Sequence, residues 1–282
     1  MMAVMLCSKG VKPDPWIGYA TYLNSVTSAR VELMTAWPDP DAVLKAVDIP
    51  TLDRWRRSIN ETCGASLPSG AWLLKLTASN YPSLLAECGD APACLFGLGD
   101  LDCFDRPAIA IVGSRRPSLD GVKFAERFAF ELAEAGFIIV SGLAQGVDTA
   151  VHRGALAAGG KTIAVMATGI DAIYPHANRG LSTEIVQSGA LLSEFPPGSA
   201  PKRHHFRRRN RTISGLSIAT LVIEAGVPSG TLITATAAAE QGRDVYALPW
   251  SINHRQGEGC LKLLLEGALL ATHPRDIVEG SR

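Results

Sequence analysis

The sequence predicts an α/β fold, a doubly wound and mainly parallel Rossmann-like sheet preceded by a small helical module. Three observations predict it. Short apolar runs recur from Pro107 onward, most end in Gly or Glu, and helical patterns follow them. The runs are apolar throughout instead of alternating, as expected of strands buried on both faces. Strands of that kind, separated by helices of about a dozen residues, build a parallel sheet covered by helices on both sides.

The elements follow in order. Residues 16–66 read as short helices, among them "PWIGYATYLNSV", "DPDAVLKAV" and "PTLDRWRRSINETC", punctuated by Pro38, Pro40 and Pro50. A small helical domain is therefore expected over 1–66, and the sheet domain over 67–282. A connector supplies one predicted strand (71–76), a short helix after Tyr81-Pro82 and an apolar segment at Cys94 to Gly97. The strand runs are then "AIAIVG" (108–113), "FIIVSG" (137–142), "KTIAVMA" (161–167), "ALLSE" (190–194), "IATLVIE" (218–224), "DVYALP" (244–249) and "GALLAT" (267–272). Between the first two, a helix is predicted over 118–135. Val122, Ala125, Phe128, Ala129, Leu132 and Ala133 form one stripe, and Gly136 sits where a C-cap glycine belongs.

Composition narrows the function classes. Of 282 residues, 47% are apolar and 19% charged, which suits a globular protein with a substantial core. No apolar run approaches the ~18 residues that span a bilayer. The start, "MMAVMLCSKG", lacks the basic n-region of a signal peptide. The cysteines Cys7, Cys63, Cys88, Cys94, Cys103 and Cys260 form no CxxC pair. In a chain without a secretion signal they read as reduced thiols, so a cytoplasmic location and no metal are expected.

One stretch departs from the rest. The chain carries 27 basic and 27 acidic residues, yet "KRHHFRRRNRTISG" (202–215) packs six Lys/Arg and two His into its first ten residues. It reads either as a solvated loop or as a loop that binds a polyanion. The strand-end turns bear on the choice, because ligands of such sheets bind beyond the carboxyl ends of the strands. These turns are "GSRRPS" (113–118), "SGLAQGVD" (141–148), "TGIDAIYPHAN" (168–178) and "EAGVPSGTLIT" (224–234). Each by itself reads as a tight turn or as a cradle of backbone N–H groups for phosphate. Several on one sheet edge, next to six basic residues, favour phosphate.

Signatures of catalysis are thin. No G-x-G-x-x-G, Walker A, G-x-S-x-G or H-E-x-x-H is present, and no cofactor is expected. Asp148 and His152, four apart, share a helix face. They read as an acid–base pair or, more simply, as a buried hydrogen bond that fixes a loop. Glu194, Glu224 and Glu240 lack a partner nucleophile.

The stretches "IAIVGSRRPS", "IIVSGLAQGVDTAVHRGAL", "YPHANRGL", "LLSEFPPG", "HFRRRNRTISGLS", "VIEAGVPSGTLITATAAAEQGR" and "GEGCLKLLLEGA", in that order, resemble the DprA/Smf family of DNA-processing proteins. The match runs from Ser79 to Thr272. The resemblance implies a Rossmann-like, non-catalytic dimer that binds single-stranded DNA and hands it to the RecA recombinase during natural transformation. It places DNA contacts at Ser114, Arg115, Ser141, Gly142, Ala144, His176, Asn178, Lys202, Arg203, Phe206, Arg209, Asn210 and Arg211. It also likens residues 1–66 to a sterile-alpha-motif-like domain. His176 stands where some members have Lys, Arg207 where Pro is usual, and Trp250 where Gly is usual. The chain stops at Arg282, without the winged helix that many members carry at that end.

Single strands are held by cationic grooves and by aromatic rings on which bases stack, so Phe206 inside the basic stretch is the telling residue. It reads as a stacking platform or as an anchor packing that stretch onto the sheet. The competing reading is a nucleotide-binding enzyme, similar to lysine-decarboxylase-like phosphoribohydrolases. There Arg115, Ser141 and the turn at Ser229–Thr231 would hold one nucleotide and Glu240 would act at the ribose. Glu240 lies nine residues beyond Thr231, whereas the G-T-x-x-E turn of those enzymes needs three.

Overall fold

A computed structural model describes residues 67–280. The helical module expected over 1–66 lies outside them. The seven apolar runs become β3 (Ala108–Val112), β4 (Ile138–Ser141), β5 (Thr162–Met166), β6 (Ala190–Ser193), β7 (Ala219–Val222), β8 (Asp244–Ala247) and β9 (Leu269–Leu270). The predicted strand at 71–76 is β1 (Ala71–Lys75), and the apolar segment after it is also a strand, β2 (Cys94–Gly99).

All nine form one sheet in the order β1-β2-β6-β5-β4-β3-β7-β8-β9. From β6 to β9 every neighbour is parallel, while β2 runs antiparallel to both β1 and β6. The chain thus winds outward from β3 to β6, then crosses back to place β7 on the other side of β3. That reversal makes the doubly wound topology.

The helices are α1 (Ser83–Ala86), α2 (Leu119–Glu134), α3 (Val147–Ala157), α4 (Arg179–Ser188), α5 (Arg203–Gly215), α6 (Gly230–Glu240), α7 (Glu258–Leu265) and α8 (Pro274–Gly280). Strand pleat divides the core between them. Ala108, Ala110 and Val112 of β3 join Ile213 of α5 and Ala235 of α6 on one face. Ile109 and Ile111 join Phe128 and Leu132 of α2 on the other. The α2 stripe is buried as its spacing requires, with Ala125, Phe128, Ala129, Leu132 and Ala133 inside. Ser118 caps its start, accepting from the Gly121 N–H at 3.0 Å, and Gly136 ends it at φ +98°. No helix among the described residues is long and apolar enough to cross a membrane.

One expectation is corrected. The basic stretch is not a loop; it is helix α5. His205, Arg209, Thr212 and Ile213 are buried at spacings of four, three and one, a helical stripe written largely in polar residues. Its packing against the sheet end, and not the propensity of six cations, makes the segment helical.

The tightest helix contact is α2 on α3, where a Cβ at Gly154 would lie 2.3 Å from the Glu126 carbonyl oxygen. In helix α4, Gly180 has nothing within 4 Å of the same position. In open helix, Gly→Ala stabilises by up to about 1 kcal/mol. Gly154→Ala is expected to reverse that sign, with a net loss of roughly 1–2 kcal/mol from overpacking. Gly180→Ala is expected to gain stability, and urea denaturation of both variants reads the contrast.

Candidate nucleic-acid interface

The carboxyl-edge loops are rigidly built. In the β3 loop, the Ser114 N–H donates to the Glu224 carbonyl at 2.7 Å and the Ser118 N–H to the Glu224 carboxylate at 2.8 Å. Arg115 projects between these two fixed points and is exposed. The β4 loop needs a left-handed Leu143 at φ +57° and Gly146 at φ +82°. At Gly146 a Cβ would strike the Ser114 carbonyl at 2.4 Å, so only glycine fits.

Buried polar side chains hold this loop from behind. The Asn178 amide donates to the Leu143 carbonyl and to Thr149 Oγ1, each at 2.9 Å. The Asp148 carboxylate accepts from the Ala144 N–H at 3.3 Å. The Ser141 hydroxyl is fully buried and donates to the Ile111 carbonyl at 2.7 Å. Asn178, Ser141 and the Ala144 N–H thus spend their hydrogen bonds inside the protein, and they shape the loop from within.

Arg209 of α5 completes the arrangement. It is 4% exposed, its Nη1 lies 3.9 Å from Asp148 Oδ2, and it donates to the Val165 carbonyl at 3.4 Å. A Cβ at Gly142 would fall 1.2 Å from that nitrogen, so the glycine is what admits the guanidinium. Burial pulls the Arg209 pKa down to about 10, opposed by Asp148, and raises that of Asp148, opposed by Arg209. Each charge depends on the other.

Phe206 lies one helical turn before Arg209 and is half-buried. Its ring meets Tyr174 edge-on at 6.0 Å, with the Arg115 guanidinium 5.0 Å and that of Arg209 5.9 Å from its centre. These side chains, with Gly142, Ala144, Gln145, Ala167, Thr168 and Pro175, line a cavity of about 100 Å³. Of the exposed cations, Arg115 lines it. No carboxylate among the described residues pairs with Arg115, Arg116, Lys202, Arg203 or Arg207. His176 is exposed beside Pro175, and Ser114 precedes Arg115, its Oγ accepting from the Arg116 N–H at 3.0 Å.

Two further expected contact residues, Asn210 and Arg211, point to other parts of the fold. The Asn210 amide donates to the Gly230 carbonyl at 3.3 Å. Arg211 pairs with Asp90 and, at 3.0 Å, with Glu240. Arg211 and Glu240 line a separate cleft with Glu87, Asp90 and Arg243, which Arg115 does not reach. The residues required by the phosphoribohydrolase reading therefore do not come together. Glu194 pairs with Arg208 at 2.8 Å.

Asp148 and His152 do not pair. His152 is fully buried with Nδ1 2.8 Å from Thr162 Oγ1, which itself donates to the Ile139 carbonyl at 2.7 Å. The hydroxyl has spent its proton, so His152 is the donor through Nδ1 and its Nε2 is bare. Asp148 does fix a loop, but through the Ala144 N–H. Tyr174 and Gln145 are cavity residues that sequence reasoning missed, although an exposed aromatic in the "YPHAN" loop was a visible signal.

The sequence model of the DNA recombination-mediator protein A family matches residues 72–282. The chain belongs to this family. It is 48% identical over 198 residues to the DNA processing protein DprA of Streptococcus pneumoniae, covering 70% of each chain. It is 35% identical over 280 residues to that of Bacillus subtilis, covering 99% of this chain and 91% of the relative. A third relative, protein Smf of Synechocystis, is 46% identical over 193 residues, and the chain spans only 48% of its length. The X-ray structure of the Streptococcus pneumoniae DprA superposes with a TM-score of 0.74 at 37% identity, covering 91% of this chain and 86% of that one. A Helicobacter pylori DprA, whose solved structure concerns its single-stranded DNA binding mode, superposes at 0.68 with 31% identity, covering 74% and 94%.

Histidine burial at this DprA-family site sets an acid limit. Burial lowers the His152 pKa to about 3 and that of His205 to about 4, so both are neutral in the fold. Below pH ~6.5 the unfolded chain binds protons that the fold refuses, and stability falls as pH drops toward those folded values. Asp148, raised by burial, acts with the opposite sign. His152→Gln is expected to flatten the decline of Tm between pH 6.5 and 4, which thermal melts across that range measure.

Proposed function

We propose that this chain binds single-stranded DNA across the cavity of Phe206, Tyr174 and Arg115, and delivers the strand to the RecA recombinase during natural transformation. One observation carries the reading: a cavity lined by the rings of Phe206 and Tyr174 and by the exposed Arg115, which pairs with no carboxylate among the described residues. Its relatives include a protein studied for single-stranded DNA binding, and the family is described as a recombination mediator. A mediator hands its strand to a recombinase, and that description supports RecA as the partner. The chain acts without catalysis of its own, in the cytoplasm, as a module over 1–66 joined to the sheet domain.

Energetics permit the exchange that binding requires. Arg115 lies against the Phe206 ring, a contact worth roughly 0.5–1 kcal/mol at an exposed site. A base stacked on an aromatic ring is worth about 1–3 kcal/mol. Releasing Arg115 to a phosphate and giving the ring to a base is therefore favourable on both counts. Phe206 is neither wholly anchor nor wholly platform: its half-buried ring meets Tyr174, Arg209 and the exposed Arg115.

Binding of oligo-dT, followed by fluorescence anisotropy against salt, tests this. Four to six phosphates predict a slope of log K on log[salt] of about −3 to −4. Arg115→Ala should weaken binding and shorten that slope by about 0.7. Phe206→Ala should cost about 1–3 kcal/mol with the slope unchanged, and Phe206→Trp should restore most of it. Duplex bound as tightly as the single strand would refute the reading.

We further propose a homodimer, formed through the exposed leucines of α7 and the sheet edge. There Leu265 is 89% exposed, and Leu269 and Leu270 of the edge strand β9 are 45% and 53% exposed. Leu265→Glu with Leu270→Glu is expected to give a monomer by analytical ultracentrifugation. It should also reduce RecA loading on coated single strands, measured as strand exchange, and a dimer that persists overturns this assignment.

A further inference from the structure

Glu224 lies just beyond β7, distant in sequence from Arg115, yet it grips the Arg115 loop twice. Its carbonyl accepts from the Ser114 N–H at 2.7 Å and its carboxylate from the Ser118 N–H at 2.8 Å. Arg115 stands between those two anchor points. The carboxylate is 0% exposed and lies against the first turn of α2, where a Cβ at Gly121 would meet Oε2 at 2.3 Å. The other oxygen, Oε1, bonds His254 Nε2. The His254 ring stacks on Trp250 at 4.3 Å and 23°, and the Trp250 indole N–H donates to the Ile223 carbonyl at 2.7 Å. A buried carboxylate is costly unless bonded, and here it gains the N-terminal end of a 16-residue helix and a histidine.

We propose that Glu224, held by His254, is the positioning residue of Arg115: it sets the loop from which that guanidinium meets the single strand. The inference rests on the single-strand reading above. Glu224 touches no DNA; it acts by limiting the conformations open to Ser114–Ser118. Preorganisation of this kind raises affinity by removing the ordering cost of binding. Glutamine can take the role. Its amide oxygen accepts the Ser118 N–H, and its NH2 donates to Nε2 of a neutral His254.

Oligo-dT affinity and salt slope are measured for Glu224→Ala and Glu224→Gln, each in the native and the Arg115→Ala backgrounds. Glu224→Ala is expected to weaken binding about 10-fold and shorten the slope by up to about 0.7. In the Arg115→Ala background the same change should cost less than about two-fold, because coupled residues are not additive. Glu224→Gln should bind within about two-fold of native. Should Glu224→Ala fail to fold, His254→Ala serves, since that ring is 27% exposed. It is expected to weaken binding in the native background and not in Arg115→Ala. Equal losses in both backgrounds, or a native slope in Glu224→Ala, overturn the proposal. Full affinity and slope in Arg115→Ala alone would sink the single-strand reading as well; a loss there, with Glu224→Ala unaffected, sinks only the positioning role.

Discussion

The buried ion pair between Arg209 and Asp148 is the constraint from which the site follows. Two charges have been taken from water, and removing either partner of such a pair typically costs 3–5 kcal/mol because the other is left uncompensated. The pair sets three things together. It fixes where α5 crosses the sheet end, because Gly142 leaves room for the guanidinium and for nothing larger. It fixes the β4 loop, because Asp148 also holds the Ala144 N–H. It also fixes Phe206, three residues earlier on the same helix face, against Tyr174.

With Arg209 committed to structure, the cations of the basic stretch divide by partner. Arg208 and Arg211 are neutralised by Glu194, Asp90 and Glu240. Lys202, Arg203 and Arg207 have no ion pair with any described residue. Lys202 and Arg203 begin α5, a helix with no acidic residue in its first turn and no side-chain cap. Cations at a helix N-terminus oppose the macrodipole by roughly 0.3–1 kcal/mol each. A local choice that costs stability without structural return is what the proposed contact with single-stranded DNA would account for. A neutral chain can thus keep a strongly positive helix start where an anion is to be met.

The fold was legible because the sheet is simple: a run such as "AIAIVG" has no polar residue to blur it, and "FIIVSG" has only Ser141. The helical stripe of α2 was equally plain. α5 was hidden because its buried face uses His205, Arg209 and Thr212, residue types whose presence ordinarily signals surface. The cavity was half legible. Arg115, Gly142, Ala144, Phe206 and Arg209, expected as DNA contacts, share its lining, whereas Asn210 and Arg211, adjacent in sequence, turn to Gly230 and to Asp90 and Glu240. Helical geometry separates neighbours by about 100° per residue, and a charge run read as a loop carries no such direction. Ser141 and Asn178 matter to the loop through buried bonds that only tertiary structure reveals.

The position of the cavity has its own cause. Doubly wound sheets offer a crevice at the switch point, here between the ends of β3 and β7. In this chain that crevice is closed. Glu224 bonds Ser114 and Ser118 across it, and the Thr231 hydroxyl donates to the Gly113 carbonyl at 3.0 Å. Backbone N–H groups that cradle pyrophosphate in dinucleotide-binding relatives of this topology are consumed internally. The open space lies instead over β4 and β5, walled by Ala167, Thr168 and the Tyr174 loop and roofed by Phe206. A closed switch point beside an open aromatic cavity suits a ligand held by side-chain cations and stacking, rather than by a helix N-terminus around a single phosphate group. The same carboxylate that closes the crevice steadies Arg115 at the cavity mouth.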